Sequence, residues 1–246
     1  MTTKELEGKK ALVTGATSGI GRAIAVRLAQ EGATVTTTGR RAELGEQTVR
    51  LIEQAGGKGR FIAADVGELD DIARLAQEAG DVDVLVNNAA TASYTPTPQQ
   101  TPAVYQQVFD VNVRATYFLT AALVPSMVER GHGTIINVSS ITAVAGAPVG
   151  AVYSASKGAV DALTRTWAAE FGPQWIRVNA LAPGPVRTDK ALELGAELFE
   201  QMTPTMPLRR IGEPAEIAEA ALFLTSERTG YISGTVLTAD GGFTAI

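Results

Sequence analysis

The sequence contains no cysteine and a single histidine among its 246 residues. Disulfides, thiolate-bound zinc, iron–sulfur clusters and cysteine nucleophiles are therefore excluded. His132, set in a Gly-His-Gly turn, leaves no triad base and no multi-histidine site, so it reads as a surface turn residue and no metal is expected. A basic excess is missing too: 21 Lys and Arg stand against 26 Asp and Glu, a net charge of −5. Neither nucleic acid nor an anionic membrane is an expected partner on that balance. Long apolar runs are also absent. The most apolar segment, Ala115 to Val128, falls short of the roughly 20 residues a span needs and is broken by Thr120, Pro125 and Ser126. The polar opening MTTKELEGKK carries no secretory signal pattern, so a cytoplasmic protein is expected. Catalysis, if any, must run on hydroxyls, lysines, carboxylates or a bound cofactor.

What is present is a near-average globular composition, 45% apolar and 19% charged, long enough for one large α/β domain. Short β-branched runs alternate with amphipathic stretches of helix length, the pattern of βαβ units and a parallel sheet. Strands are expected at Lys10–Thr14, Thr34–Thr38, Gly59–Ala63, Val82–Val86, Thr134–Val138, Ile176–Ala180 and Thr235–Thr238. Helices are expected around Ile20–Gln30, Leu44–Gln54, Asp70–Ala79, Ala103–Glu129, Ala151–Phe171 and Pro214–Thr225. The fold class that follows is a single-domain, doubly wound seven-stranded parallel sheet of the Rossmann kind, spanning residues 1–246, with helices on both faces. Such sheets bind ligands outside the carboxyl ends of their strands. The Pro-containing stretches Thr91–Pro102 and Pro183–Pro207 belong on that edge, and a lid is expected over about 188–210.

The chemistry-bearing motifs lie at that edge. After the first strand comes Thr14-Gly15-Ala16-Thr17-Ser18-Gly19-Ile20-Gly21, where glycines allow a tight turn and the following helix N-terminus attracts a pyrophosphate. Tyr153 and Lys157, at i and i+4, project from one helical face. Charges about 5 Å apart at an effective dielectric near 20 attract by roughly 3 kcal/mol, about two pKa units off tyrosine. Thirteen residues before Tyr153, Ser140 ends a buried strand and could hold a substrate oxygen beside the phenol. Asn112, inside the long helix, is a middling helix former whose side chain or freed carbonyl could bind a water; a solvent-facing Asn is the plainer alternative.

In its GxxxGxG spacing and the order of its motifs, the whole chain resembles the short-chain dehydrogenase/reductase family. The resemblance implies that Asn112, Ser140 (rather than Ser139), Tyr153 and Lys157 are the catalytic residues, with Tyr153 as acid or base. It implies cofactor contacts at Gly15, Thr17, Ser18, Gly19, Ile20 and Gly21, at Asp65 and Val66, and in the Asn87-Asn88-Ala89-Ala90 turn through Asn88 and Ala89. Tyr153 and Lys157 would touch the cofactor as well. So would Pro183, Gly184, Val186 and Thr188, holding the nicotinamide carboxamide. Ala90 stands where the family's turn has glycine, which puts that local geometry in question. A homotetramer, or a dimer, is likewise implied.

In NAD-type members an acid ends the second strand. Here Gly39 takes its place, followed by Arg40 and Arg41, whose guanidinium groups can grip a 2′-phosphate. That favours NADP(H) over NAD(H). The expected reaction is hydride transfer between a nicotinamide and a small-molecule ketone or secondary alcohol. A 3-oxoacyl thioester reductase and a sugar dehydrogenase remain open within the family. A non-catalytic dinucleotide-binding sensor, or a Rossmann-like methyltransferase, is the rival from outside it. Pocket residues expected from the loops are Ala90, Thr142, Val149 and Leu192, with Ala92, Tyr94, Val144 and Leu194 nearby. They are more apolar than charged, which favours a ketone, a β-keto acyl group or a compact alcohol over a phosphorylated sugar.

Overall fold

A computed structural model describes residues 4–148, 150–189, 191 and 203–246. Seven strands form one sheet in the order β3-β2-β1-β4-β5-β6-β7, every neighbouring pair parallel. They are β1 (Lys10–Thr14), β2 (Thr34–Gly39), β3 (Lys58–Ala63), β4 (Val84–Asn87), β5 (Gly133–Val138), β6 (Ile176–Pro183) and β7 (Val236–Ala239). The α-helices among the described residues are α1 (Gly19–Gln30), α2 (Ala42–Gln54), α3 (Leu69–Ala79), α4 (Pro102–Phe109), α5 (Ala115–Arg130), α6 (Ala151–Phe171) and α7 (Pro214–Thr225). The expected doubly wound architecture is the one observed.

Sheet pleating explains the two cores, because successive side chains on a strand point to opposite faces. Leu12, Leu85, Ile135 and Val178 pack on one face with Leu119, Leu123, Met127 and Trp167. Their neighbours Val13, Val86 and Ile136 pack on the other with Ile24, Leu28, Ile217 and Leu222. Burial on both faces is why the central strands read as continuous apolar runs.

Two expectations need correction. Strand β6 runs three residues past Ala180, because Ala180 through Pro183 pair in register with Val236 through Ala239. The single helix expected over Ala103–Glu129 is two helices joined by a π turn, Asp110–Arg114. The widened turn closes with the Ala115 amide donating to the Asp110 carbonyl. The carbonyl of Asn112 is satisfied instead by the Thr116 hydroxyl at 2.9 Å. This bulge turns Asn112 inward, so the solvent-facing alternative fails.

Of the expected lid, residues 190 and 192–202 lie outside the described residues. Its far end returns to the sheet, where the Leu208 amide donates to Gly241 at 3.1 Å. Among the described residues no helix is long and apolar enough to cross a membrane.

Leu85 is fully buried on β4. Leu85→Ala should lower the unfolding free energy by about 3 kcal/mol, read as a fall in the urea midpoint at constant slope.

Candidate active site

The Gly-rich turn is built by the residues around it. Gly15 and Gly19 have positive φ, a conformation that costs little only for glycine. A Cβ on Gly15 would come within 2.8 Å of the Ala89 backbone, and one on Gly21 would collide with the Asn88 amide. The Thr14 hydroxyl accepts from the Asn88 and Ala89 amides, both at 3.0 Å. In return the Asn88 side chain donates to the carbonyls of Thr14 at 2.8 Å and Gly15 at 3.2 Å. Asn88 therefore clamps the turn with its side chain. Ser18 sits at the N-cap of α1 without bonding the helix amides; its hydroxyl accepts from Arg41 at 2.9 Å, as does Thr17's. The first-turn amides, from Gly19 and Ile20 onward, are left without a side-chain cap, a ready anion site.

The second cluster forms where β5 meets α6. Ser140 follows β5, its hydroxyl accepting from the Thr142 amide at 3.2 Å and hydroxyl at 3.0 Å, and it lies close enough to the Tyr153 phenol to favour its ionised form. One turn along α6 the Lys157 ammonium lies 5.7 Å from the Tyr153 ring centre and donates to the Val138 carbonyl at 2.7 Å. Asn112 donates to the Ser156 hydroxyl at 2.9 Å, which donates to the Tyr153 carbonyl at 2.6 Å. It also pins the loop after β4, exchanging bonds with the Thr91 amide at 2.8 Å and carbonyl at 2.9 Å. All four expected catalytic residues thus share one network.

The electrostatics differ from the expectation. Burial pushes the Tyr153 phenol up to about 12, with the nearby Tyr94 adding to the rise and the Ser140 bond opposing it. Burial also pulls Lys157 down to about 8, opposed by Asp161. Lys157 does not bring the tyrosine toward neutrality here, because its ammonium is spent on the Val138 carbonyl and enclosure penalises both charged forms.

The remaining expected residues fall around the same edge. Arg40 and Asp65 form an exposed ion pair at 3.6 Å, and Asp65 also accepts from the Gly67 amide at 2.9 Å. Val66 is buried. Beyond Pro183, at the end of β6, Gly184 donates to Ala239 at 3.0 Å. Val186 bridges to Gly212. The Thr188 methyl lies against Gly19, bringing this segment onto the Gly-rich turn. Ala90 is exposed and has no positive φ, so the missing glycine leaves no strain. Thr142 faces Ser140, and Tyr94 lies 6.3 Å from Tyr153 between ring centres. Val149, Leu192 and Leu194 lie outside the described residues.

A family model described as enoyl-(acyl carrier protein) reductase matches residues 15–244. A 3α-hydroxysteroid dehydrogenase of Mediterraneibacter gnavus is 38% identical over 243 residues, covering 96% of this chain and 97% of its own. A solved short chain dehydrogenase/reductase family protein superimposes with TM-score 0.93 at 49% identity, over 98% of this chain and all of that one. The chain belongs to the short-chain dehydrogenase/reductase family. It is an oxidoreductase of the CH–OH/C=O class using a nicotinamide dinucleotide. A further solved member, a 7α-hydroxysteroid dehydrogenase in complex with NADH and 7-oxo glycochenodeoxycholic acid, gives TM-score 0.94 at 34% identity, over 98% of this chain and 96% of that one.

The residues fit such a cofactor: the uncapped α1 N-terminus and a turn whose glycines have no room for a Cβ leave backbone amides for a pyrophosphate. The parts that some residues play in this site escaped the motif reading. Thr14 was visible as the first residue of the Gly-rich turn but not as its clamp, and Ser156 as an ordinary helix residue. Asn87 and Asn137, bonded to each other at 2.9 Å and to Thr120 and Thr164, did carry a signal, since asparagine is depleted in strands. Among the described residues no group of three or more His, Cys, Asp and Glu is placed to hold a metal ion.

Asn112→Ala would strand the Thr91 amide and carbonyl. We expect the family fold to persist with about 2–3 kcal/mol less stability and faster amide exchange in the loop after β4.

Proposed function

We propose that the protein interconverts an apolar ketone and its secondary alcohol with NADP(H), Tyr153 acting as general acid in reduction and general base in oxidation. The observation that carries this reading is the Tyr153–Ser140 hydroxyl pair at the carboxyl end of β5, backed by the Lys157 ammonium. When bound, the nicotinamide supplies or accepts the hydride. Ser140 orients the carbonyl oxygen. Tyr153, kept protonated by enclosure, donates its phenolic proton to that oxygen as the carbon is reduced. Lys157 steadies the phenolate left behind and holds the nicotinamide ribose. Asn112 keeps Tyr153 in register through Ser156 and supports a water that returns the proton from solvent.

The cofactor would lie along Gly15–Gly21, with Asp65, Val66, Asn88 and Ala89 toward the adenosine and Pro183, Gly184, Val186 and Thr188 toward the carboxamide. NADP(H) is supported by Gly39, where a Cβ would come within 2.7 Å of the Thr17 methyl, which disfavours an acid at that place. Arg40 and Arg41, exposed beside the turn, supply the cations a 2′-phosphate needs. Ala90, Ala92, Tyr94 and Val144 give the substrate side an apolar wall. The 3α- and 7α-hydroxysteroid dehydrogenases among the relatives make ring ketones the first class to assay, with 3-oxoacyl thioesters second. The assembly is read as a homotetramer, served by the exposed Tyr105, Tyr117 and Phe118 on α4 and α5.

Nicotinamide absorbance should report NADPH preferred over NADH by tenfold or more, about 1.4 kcal/mol. Arg40→Ala with Arg41→Ala should erase that preference by raising KM for NADPH alone; an unaltered preference defeats the phosphate assignment. Tyr153→Phe should cut turnover by about a thousandfold with NADPH affinity retained. Since Lys157 titrates at about 8, kcat/KM for reduction should hold steady near neutrality and fall as that ammonium loses its proton above pH 8.

A further inference from the structure

Tyr153 and Lys157 are two steps of a longer series on α6. Asp161 follows one turn after Lys157 on the same face, only 4% exposed, and its Oδ1 has no hydrogen-bond partner. Carboxylates this buried are rarely left with an orphan oxygen, and each case calls for a reason. The Ser139 hydroxyl lies within reach of both the Lys157 carbonyl, at 3.5 Å, and the Asp161 carboxylate; the charged acceptor makes the stronger bond. Three consecutive residues at the end of β5 are thereby held by three consecutive turns of α6. The Val138 carbonyl accepts from Lys157, and the Ser139 and Ser140 hydroxyls lie beside Asp161 and Tyr153.

We propose that Asp161 is a positioning residue for the Tyr153–Lys157 pair: its buried carboxylate, one turn along the same enclosed face, balances the Lys157 ammonium, and it stands beside Ser139 next to the strand end that presents Ser140. The inference rests on the catalytic reading above. Other charges do not substitute for it. On α6 itself Asp161 is faced by Lys157 and, one turn further on, Arg165. Of the elements packed against α6, β5 and α4 carry no charged side chain. In the π turn Asp110 and Arg114 pair with each other at 2.8 Å. On β6 Arg177 is turned to the carbonyls of Leu224, Thr225, Ser226 and Ile232, and on α5 Arg130 is paired with Asp81 at 3.0 Å. Burial raises the Asp161 carboxyl itself, a rise opposed by Ser139, by Arg165 and by Lys157.

Asp161→Asn keeps the shape and an acceptor for Ser139 but removes the charge. Lys157 then gives up its proton more readily. The alkaline limb of kcat/KM for reduction should move down by about half a pH unit or more, leaving activity several-fold lower at pH 8.5 and little changed at pH 6.5. In the unliganded protein the Lys157 Cε signal, assigned by its absence in Lys157→Met, should titrate lower by a similar amount. Asp161→Glu, retaining the charge, should restore both curves. An unshifted Lys157 titration in Asp161→Asn overturns the proposal, as does an equal loss of activity at every pH with a lower melting temperature. If the unaltered protein turned over no ketone or alcohol, the catalytic reading would fall, and the Lys157 titration would still decide the role of Asp161.

Discussion

The end of strand β5 is held by a single face of α6, and the active-site geometry depends on that hold. The bond from the Lys157 ammonium to the Val138 carbonyl, at 2.7 Å, satisfies a backbone acceptor just past the last registered pair of the ladder with β4, Asn87–Asn137. A buried carbonyl there would otherwise be an expensive orphan. The sheet edge thus fixes where the ammonium sits, and the ammonium fixes the helix turn that carries Tyr153. Helix, strand end and π turn form one unit, since Asn112 reaches the same turn through Ser156. Displacing any one of them moves the phenol relative to Ser140.

The Gly-rich turn is fixed by a different means, through polar clamps rather than charge. Thr14-Gly15 and Asn88-Ala89 share four hydrogen bonds across the ends of β1 and β4. They hold the turn open at the helix N-terminus without using a single amide of α1. Because β1 and β4 are adjacent in the sheet although they are separated in sequence, the clamp also marks the point where strand order reverses. That crevice is where an open α/β sheet accepts a nucleotide. Thr188 closes the same crevice from β6 by lying against Gly19.

Most of the architecture was legible because parallel strands buried on both faces leave little choice of residue: Leu12-Val13 and Ile135-Ile136 each feed two cores at once. The serine, tyrosine and lysine of the candidate site were legible from spacing, since a strand end and an i, i+4 pair are local features. The π turn was not, because its cause is the bonding of Asn112 to Thr91 and Ser156, 21 and 44 residues away. Asp161 escaped for a related reason. On a helical wheel it continues the Tyr153–Lys157 face, but only packing against Ser139 reveals that this face is enclosed. The electrostatic expectation failed on burial, which no local pattern records: attraction across 5 Å was weighed without the desolvation of both groups.

That desolvation shapes how the fold and the chemistry coexist. Lys157 has a folded pKa near 8, below its ordinary 10.5. Below about pH 8 the ammonium is therefore buried against its preference, and the fold carries that cost in full. Between about 8 and 10.5 the unfolded chain binds the extra proton, so stability rises with pH across that window, opposite in sign to the loss of activity. A residue that served only the core would have been apolar at this position, avoiding the cost. A charged lysine retained here, bonded to the Val138 carbonyl and one turn from the Tyr153 phenol, is the pattern of a group kept for function rather than for the core. The site is thus least comfortable for the fold in the same pH range where the proposed proton transfer draws on the charge.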